Sequence, residues 1–256
     1  MDQIVIARFK EDISWVNLLD NDWEVFIYNK GPAIGSQSFK ENVRIINTPN
    51  VGRETETYLS HIRNNDFLRT HGKVVFTQAN PFEHSPDFLK LLALRSLWSP
   101  VQTLAFQWVD NHNVPPPLLL HADTHEYIEG CRIRSERYSL HTWAPLSFFD
   151  QGAWNVGSEY KNRHYLIDGV NIAEHFYTLL GLDEYAGMAA GHEFGVFSYG
   201  AIFSVRSEAV QAFKERLGGR IDHLLLISRA DKIYGYIFER CWLHLFGFEY
   251  IKFRLK

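Results

Sequence analysis

Cysteine is scarce in this sequence, and it contains no long apolar segment. Only two cysteines, Cys131 and Cys241, occur in 256 residues, which excludes a disulfide framework and favours reduced thiols. The first 20 residues lack the charged start and apolar core of a signal peptide. No apolar run reaches the ~18 residues that a membrane-spanning helix requires. The sequence therefore predicts a cytoplasmic protein with no membrane span.

Several common functional signatures are also missing. The net charge is −4 and no long basic run occurs, so a nucleic-acid partner is not expected. The sequence has no Gly-X-Ser-X-Gly elbow, phosphate-cradling glycine-rich loop, paired Cys-X-X-Cys or His-Glu-X-X-His. Their absence removes the common hydrolase, nucleoside-triphosphatase and metalloprotease interpretations. No feature predicts the oligomeric state.

Apolar residues make up 46% of the chain and aromatic residues 15%, enough for a large core and an aromatic-lined ligand groove. Strand and helix patterns alternate, which indicates an α/β fold with a mixed, mainly parallel sheet flanked by helices. Ligands bind at the carboxyl ends of such strands, so Arg8 and Gln78 are expected on one side of the molecule. No clean linker interrupts the chain, which predicts a single domain over residues 1–256. The predicted strands are 3–8, 24–28, 43–46, 73–77 and 201–205, and the predicted helices are 11–19, 54–64, 207–217 and 232–246.

Two junctions between predicted strands and helices carry positive charge. Arg8 and Lys10 follow the first strand, where cations and a helix N-terminus can hold a diphosphate. The alternative is a solvated loop in which Asp12 caps the helix, and composition alone favours that alternative. Arg53 and Glu54 begin a later helix. Their side chains could be held above the sheet, where a ligand would bind, or the segment could be a plain turn with an acidic residue at the helix start. An arginine at a helix N-terminus is unfavourable for the dipole, so both interpretations of that turn stay open.

Polar residues follow two further apolar runs. Gln78, Asn80 and His84 follow a predicted strand, and the two amides can bind a sugar or ribose but bind Mg²⁺ or Mn²⁺ poorly. His121, Asp123 and His125 alternate after Leu118–Leu120, so their side chains could converge on a metal ion in a strand. Such spacing arises often by chance among 12 histidines. Polar groups lining an acceptor cleft are therefore the favoured interpretation of the second set.

A lone carboxylate, Glu239, lies in an apolar helical run with Phe238 and Trp242. A carboxylate in an aromatic wall is desolvated, which raises its pKa and suits it to accept a proton. We therefore expect Glu239 to act as a general base.

Ordered blocks at both ends of the chain resemble the family catalogued as domain of unknown function 3431. The sequence departs from the usual pattern of that family at Lys10, where Asn is common, and at Ala79-Asn80, where Gly-Asp is common. The second departure weakens any metal-binding role at Asn80. The blocks that carry the resemblance are 4–15, 27–31, 49–54 with Tyr58, 76–82 with His84, 200–206, and 239–242 with Phe246-Gly247.

The closing blocks are also similar in layout to the core-branching N-acetylglucosaminyltransferases and peptide xylosyltransferases, which are inverting, metal-independent enzymes of the GT-A fold. This resemblance implies a GT-A-like, Rossmann-like fold with a nucleotide-sugar-binding half, 1–109, and an acceptor and catalytic half, 110–256. It implies a glycosyltransferase that moves a hexose or xylose from a nucleoside-diphosphate sugar to a glycan hydroxyl, with a UDP-sugar as the expected donor. No cofactor is expected, although Mn²⁺ or Mg²⁺ stays open.

The resemblance also assigns roles to residues of this chain. Glu239 is the expected catalytic base, since it precedes Trp242 by three residues as in those enzymes. Two alternatives remain: a non-catalytic glycan-binding module, and a metal-dependent hydrolase using His121, Asp123 and His125. The expected donor and diphosphate contacts are Arg8, Lys10, Asp12, Arg53, Gln78, Asn80, Lys252 and Arg254, and the expected acceptor or sugar contacts are Glu54, His84, Asp123, Trp154 and Trp242.

Overall fold

A six-stranded sheet lies at the centre of the molecule in a computed structural model that describes residues 1–35, 38–67, 72–106 and 125–252, with 125–127 described by backbone only. The strand order is β3-β2-β1-β4-β10-β5. The first four strands are parallel, and the last two join antiparallel. These strands are β1 (Asp2–Arg8), β2 (Trp23–Asn29), β3 (Val43–Asn47), β4 (Lys73–Gln78), β5 (Val101–Thr103) and β10 (Phe203–Arg206).

Helices cover both faces of this sheet, and two small antiparallel pairs of strands extend it. The helices are α1 (Arg53–Asn64), α2 (Phe88–Ala93), α3 (Gln151–Arg163), α4 (Ile172–Leu179), α5 (Asp183–Ala189), α6 (Ser207–Leu217), α7 (Arg220–Ala230) and α8 (Lys232–Leu245). The additional pairs are β6 (His125–Ile128) with β7 (Cys131–Arg134), and β8 (Glu136–Ser139) with β9 (Phe194–Phe197).

β1 carries apolar side chains on both of its faces, which explains why the sheet is covered on both sides. Val5 packs in one core cluster, whereas Ile4 and Ile6 pack in a second cluster. Successive side chains of a strand point to opposite faces, so an uninterrupted apolar run requires cover on both. Full burial of each such side chain contributes about 1.5–3 kcal/mol. β1 accordingly lies in the interior of the sheet, between β2 and β4.

Two predicted elements differ from the structure, and several others, α7 among them, were not predicted. The segment 11–19 contains a 3₁₀ helix, Ser14–Leu18, rather than a full α-helix. The predicted strand 201–205 begins later, at Phe203, because Tyr199–Ala201 forms a tight turn in which Gly200 has a positive φ of 63°. Helix α7 was not predicted, since Gly218-Gly219 and the exposed Leu226 obscure its apolar face.

Both halves of the chain contribute to the central sheet, because β10 pairs with β4. The fold is therefore mixed α/β with a mostly parallel sheet. Within the described residues, none of the helices combines the length and apolarity needed to cross a membrane.

Candidate functional site

The carboxyl ends of β1 and β4 meet at one edge of the sheet. Their parallel register pairs Ala7 with Gln78, and the Ala79 N–H donates to the Ala7 carbonyl at 3.0 Å. Arg8 and Gln78 therefore lie on the same side of the molecule, as the parallel arrangement requires. The Trp15 indole N–H donates to the Ala79 carbonyl at 2.9 Å and so holds the turn that follows β4.

Two cavities open at this edge, and they share two residues. The strand-end cavity has a volume of about 380 Å³, and the helix-side cavity a volume of about 420 Å³. Both volumes fall in the range of small-molecule sites. Arg53 and Gln78 line both cavities. The strand-end cavity also contacts Arg8, Lys30, Asn50, Glu54, Asn80 and Glu83, and the helix-side cavity contacts His84, Asp150, Tyr199, Tyr236, Glu239 and Arg240.

Arg53 sits in a strained turn between the cavities. Gly52 and Arg53 have φ values of 61° and 51°, and a Cβ on Gly52 would lie 2.6 Å from the Glu56 Cβ. Lys30 braces this turn by donating to the carbonyls of Val51, at 2.7 Å, and Arg53. Lys30 also pairs with Glu56 at 3.0 Å, and each side chain is only 4% exposed. A strained turn supported by a buried ion pair is a feature of positioned functional groups.

The Arg53 guanidinium points across the site towards α8. It stacks over the Tyr236 ring at 4.2 Å, and its Nη1 donates to the Tyr236 hydroxyl at 2.9 Å. Its Nε lies 3.5 Å from a Glu54 carboxylate oxygen. These contacts explain an arginine at a helix start, where the helix dipole disfavours a cation.

Glu54 is a buried carboxylate beside this arginine, with 8% of its surface exposed. Burial raises the pKa of Glu54, and the charge of Glu239 raises it further, whereas Arg53 lowers it. The two carboxylates are therefore within electrostatic reach of each other across the wall between the cavities.

Glu239 is half-buried on α8 and faces the helix-side cavity. Its Oε1 accepts the Gly200 N–H at 3.0 Å, and the Gln78 amide donates to the Gly200 carbonyl at 2.8 Å. A Cβ on Gly200 would lie 2.7 Å from the His84 ring, so only glycine fits between these side chains. The aromatic residues that were expected to surround this carboxylate, Phe238 and Trp242, instead face the core.

Arg240 is a site residue that the sequence interpretation did not identify. Its side chain lines the helix-side cavity, is 4% exposed and lies over the Phe197 ring at 4.3 Å. Beside it the Tyr199 hydroxyl donates to Asp150 at 3.1 Å. The available signal was an arginine next to a candidate base inside an otherwise apolar helix, a position that needs a partner.

Several predicted site residues lie away from both cavities. Asp12 accepts the Ser14 N–H at 2.9 Å in a local turn, whereas Ile13 occupies the N-cap of the 3₁₀ helix, which has no side-chain cap. The exposed Lys10 and Lys252 line neither cavity. Trp154 is exposed but also lines neither cavity. Trp242 is 1% exposed and packs in the core against Phe203 and Phe246, so it is unavailable for stacking on a sugar. His121, Asp123, Arg254 and the side chain of His125 lie outside the described residues.

Arg8 is close to the site but heavily engaged in local structure. Its Nε donates to the Glu11 carbonyl at 3.0 Å, and its Nη1 donates to Asn29 Oδ1 at 2.6 Å. It thus orders the turn after β1 while lining the strand-end cavity. In the described ranges no group of three or more His, Cys, Asp or Glu side chains could hold a metal ion.

Searches of protein-family models, curated proteins and solved structures found no match to this chain. The function is therefore inferred from the residues of the site and from the sequence resemblance.

Proposed function

We propose that this protein is an inverting glycosyltransferase that moves a sugar from a nucleoside-diphosphate donor, such as a UDP-sugar, to a glycan hydroxyl. The observation that carries the proposal is the pair of adjoining cavities that share Arg53 and Gln78. Two substrates can then meet at a shared boundary beside a carboxylate, Glu239. The mixed α/β sheet supports a GT-A-like fold without distinguishing it from other nucleotide-binding folds.

The donor would occupy the strand-end cavity. Nucleotides bind outside the carboxyl ends of parallel strands in α/β sheets, which is where this cavity lies. Asn50 and Asn80 offer amide groups to the ribose or the sugar. Arg53 would stabilise the negative charge that develops on the departing diphosphate, a form of electrostatic catalysis by a pre-positioned group.

The acceptor would occupy the helix-side cavity, with its hydroxyl at Glu239. The Gly200 N–H holds Oε1 of this carboxylate, which leaves Oε2 to take the hydroxyl proton. The acceptor oxygen bonds to the anomeric carbon as the bond from that carbon to the phosphate oxygen breaks. The diphosphate leaves with the bonding electrons, Glu239 holds the proton, and the configuration at the anomeric carbon inverts.

The reaction is proposed to need no metal ion. The residues that follow β4 offer the amides of Gln78 and Asn80, which bind hard divalent cations poorly. Carboxylates also line this cavity, and one of them, Glu54, already lies 3.5 Å from Arg53. The cations Arg8 and Arg53 line the same cavity. The cations would take the role of a metal at the diphosphate.

A glycoside hydrolase is a second candidate, favoured by the electrostatically coupled carboxylates Glu54 and Glu239. Two carboxyl groups in different environments, one with a raised pKa, can act as acid and base at a glycosidic bond. This candidate needs no nucleotide, so nucleotide binding separates it from the transferase.

Calorimetric titration with UDP, in EDTA and again with Mn²⁺, tests the proposal. Tight UDP binding that is equal in both buffers supports a metal-independent transferase. Absence of UDP binding would refute the transferase and favour a glycan-binding module or a glycoside hydrolase. Of these two, only the hydrolase would release free sugar from an aryl glycoside. A Zn²⁺ requirement without UDP binding would favour a metal-dependent hydrolase.

A further inference from the structure

The floor of the helix-side cavity contains a buried guanidinium, that of Arg240. Its side chain is 4% exposed, projects from α8 and lies over the Phe197 ring at 4.3 Å. The mechanism proposed above gives this charge no task. It nevertheless lines the cavity in which the acceptor would bind.

The charge of Arg240 has no direct counter-ion in the part of the chain that the structure describes. No carboxylate there forms an ion pair with it, and its buried Nε has no hydrogen-bond partner. One negative charge is felt at a distance, since Arg240 helps to lower the pKa of Glu136, which burial raises. Glu136, a buried carboxylate on β8, pairs instead with Arg134 at 2.7 Å and accepts the Ser147 hydroxyl at 2.8 Å. Asp150 accepts the Tyr199 hydroxyl and the Ala153 N–H.

Burial of a guanidinium is unfavourable where its lost hydration is only partly offset, as at the Nε of Arg240. A ligand anion that enters the cavity would offset that cost by pairing with the part of the guanidinium that lines the cavity. The planar fork of an arginine matches the two oxygens of a carboxylate, which gives direction as well as attraction.

The charges around the cavity favour an anion with a single charge. The carboxylates Glu239, Asp150 and Glu159 line the same cavity as the cations Arg53, Lys232 and Arg240. The lining therefore has no excess of positive charge to hold a diphosphate, which carries several negative charges. Arg240 also does not line the strand-end cavity, where the donor diphosphate is proposed to lie.

We propose that Arg240 binds the carboxylate of an acidic acceptor sugar, of the uronic-acid class, in the helix-side cavity. The choice of a sugar acceptor rests on the proposed function, whereas the pairing of a carboxylate with Arg240 does not. The carboxylate of the sugar pairs with the guanidinium on the cavity floor, which orients the sugar relative to Glu239.

Binding of glucuronate to the whole chain, compared with glucose, tests this proposal. We expect glucuronate to raise the melting temperature and to give a calorimetric binding isotherm that weakens with salt, and glucose to bind at least tenfold more weakly. Equal binding of the two sugars, or no binding of glucuronate, would overturn the proposal. This comparison needs no variant, so it holds even if replacing Arg240 disturbs folding.

Two variants identify the residue responsible. Arg240→Gln should weaken glucuronate binding roughly thirtyfold or more, and Arg240→Lys should fall between it and the parent because lysine keeps the charge but lacks the fork. Arg44→Gln is the matched control, since Arg44 is exposed, pairs with Glu24 and lines neither cavity. Unchanged glucuronate binding by a folded Arg240→Gln variant would overturn the proposal.

A titration with UDP distinguishes the two anionic groups that Arg240 could bind, the carboxylate of an acidic sugar and the diphosphate of the donor. The proposal predicts that Arg240→Gln leaves UDP affinity within about threefold of the parent. A loss of UDP affinity as large as the loss for glucuronate would assign the guanidinium to the donor diphosphate and overturn the proposal. If the parent binds glucuronate but not UDP, the transferase function fails while the acidic-sugar site stands.

Discussion

Replacement of Glu239 by glutamine separates its chemical role from its structural one. The Gly200 N–H donates to Glu239 Oε1 at 3.0 Å, and a glutamine carbonyl oxygen can accept the same hydrogen bond. Hydrogen bonds to charged groups contribute about 1.5–3 kcal/mol and neutral ones about 0.5–1.5 kcal/mol, so the change should cost about 1 kcal/mol. That corresponds to a fall in melting temperature of about 2–4 °C.

The effect on turnover should be far larger. An amide cannot take the proton of the acceptor hydroxyl, and general-base catalysis is typically worth about 10²–10⁴-fold in rate. UDP affinity should be unchanged, because Glu239 lines the helix-side cavity and not the strand-end cavity.

Release of UDP from a UDP-sugar in the presence of acceptor provides the assay, with thermal melting and UDP titration on the same samples. Glu159→Gln is the matched control, because Glu159 lines the same cavity and pairs with Arg163 on its own helix at 3.0 Å. It should keep near-normal turnover. A stable, UDP-binding Glu239→Gln variant with near-normal turnover would refute the assignment and transfer the base to Glu54 or Asp123. Joint loss of activity and more than about 3 kcal/mol of stability would point to a structural role.

Three further predictions concern backbone, pH and metal ions. Gly200→Ala should lower the free energy of unfolding, measured in urea, by about 2–5 kcal/mol, because of left-handed strain and the clash with His84. The control Gly191→Ala should lower it by only about 1–2 kcal/mol, because Gly191 has a φ of 71° but open space at its Cβ. Equal losses would contradict the close contact between Gly200 and His84. Burial lowers the pKa of His61 to about 3 and of His244 to about 4, so their contribution to stability is complete above their ordinary pKa of 6.5 and is lost as pH falls. These two rings should therefore remove about 4 kcal/mol from the unfolding free energy between pH 7 and pH 5, offset in part by the buried Glu54 and Glu136, whose raised pKa values act in the opposite sense. An unfolding free energy that rises as pH falls from 7 to 5 in urea titrations would contradict the burial of the rings. Transferase activity should be the same in EDTA and Mn²⁺, and a requirement for Mn²⁺ would show that a metal supports the diphosphate.

The parallel part of the sheet could be predicted from local pattern. Residues 4–7 are apolar at successive positions, which is typical of a strand covered on both faces, and 25–28 and 74–76 follow the same rule. The strand at 43–46 lies at the edge of the sheet, with Arg44 and Ile45 exposed. The antiparallel attachment of β10 depends on a long-range pairing with β4, and no local pattern encodes it.

Site residues were predictable where the end of a strand fixes their position. They were less predictable where contacts between distant parts of the chain fix it. Gln78 lies at the edge that the parallel sheet implies, whereas Arg240 gains its place on the cavity floor from packing against Phe197, which is distant in sequence. Trp242 is the opposite case, a predicted site residue that does not belong to the site. The resemblance suggested a sugar contact, but the geometry of the helix places the side chain in the core. The helical period therefore separates neighbouring residues into site and core.

The most direct test is the position of UDP in a crystal structure of its complex with this protein. The account predicts that the diphosphate lies in the strand-end cavity within hydrogen-bond distance of Arg53, with the terminal phosphate, from which the sugar would depart, directed towards Glu239. Nucleotide located away from the carboxyl ends of β1 and β4, or bound there without a contact to Arg53, would contradict it.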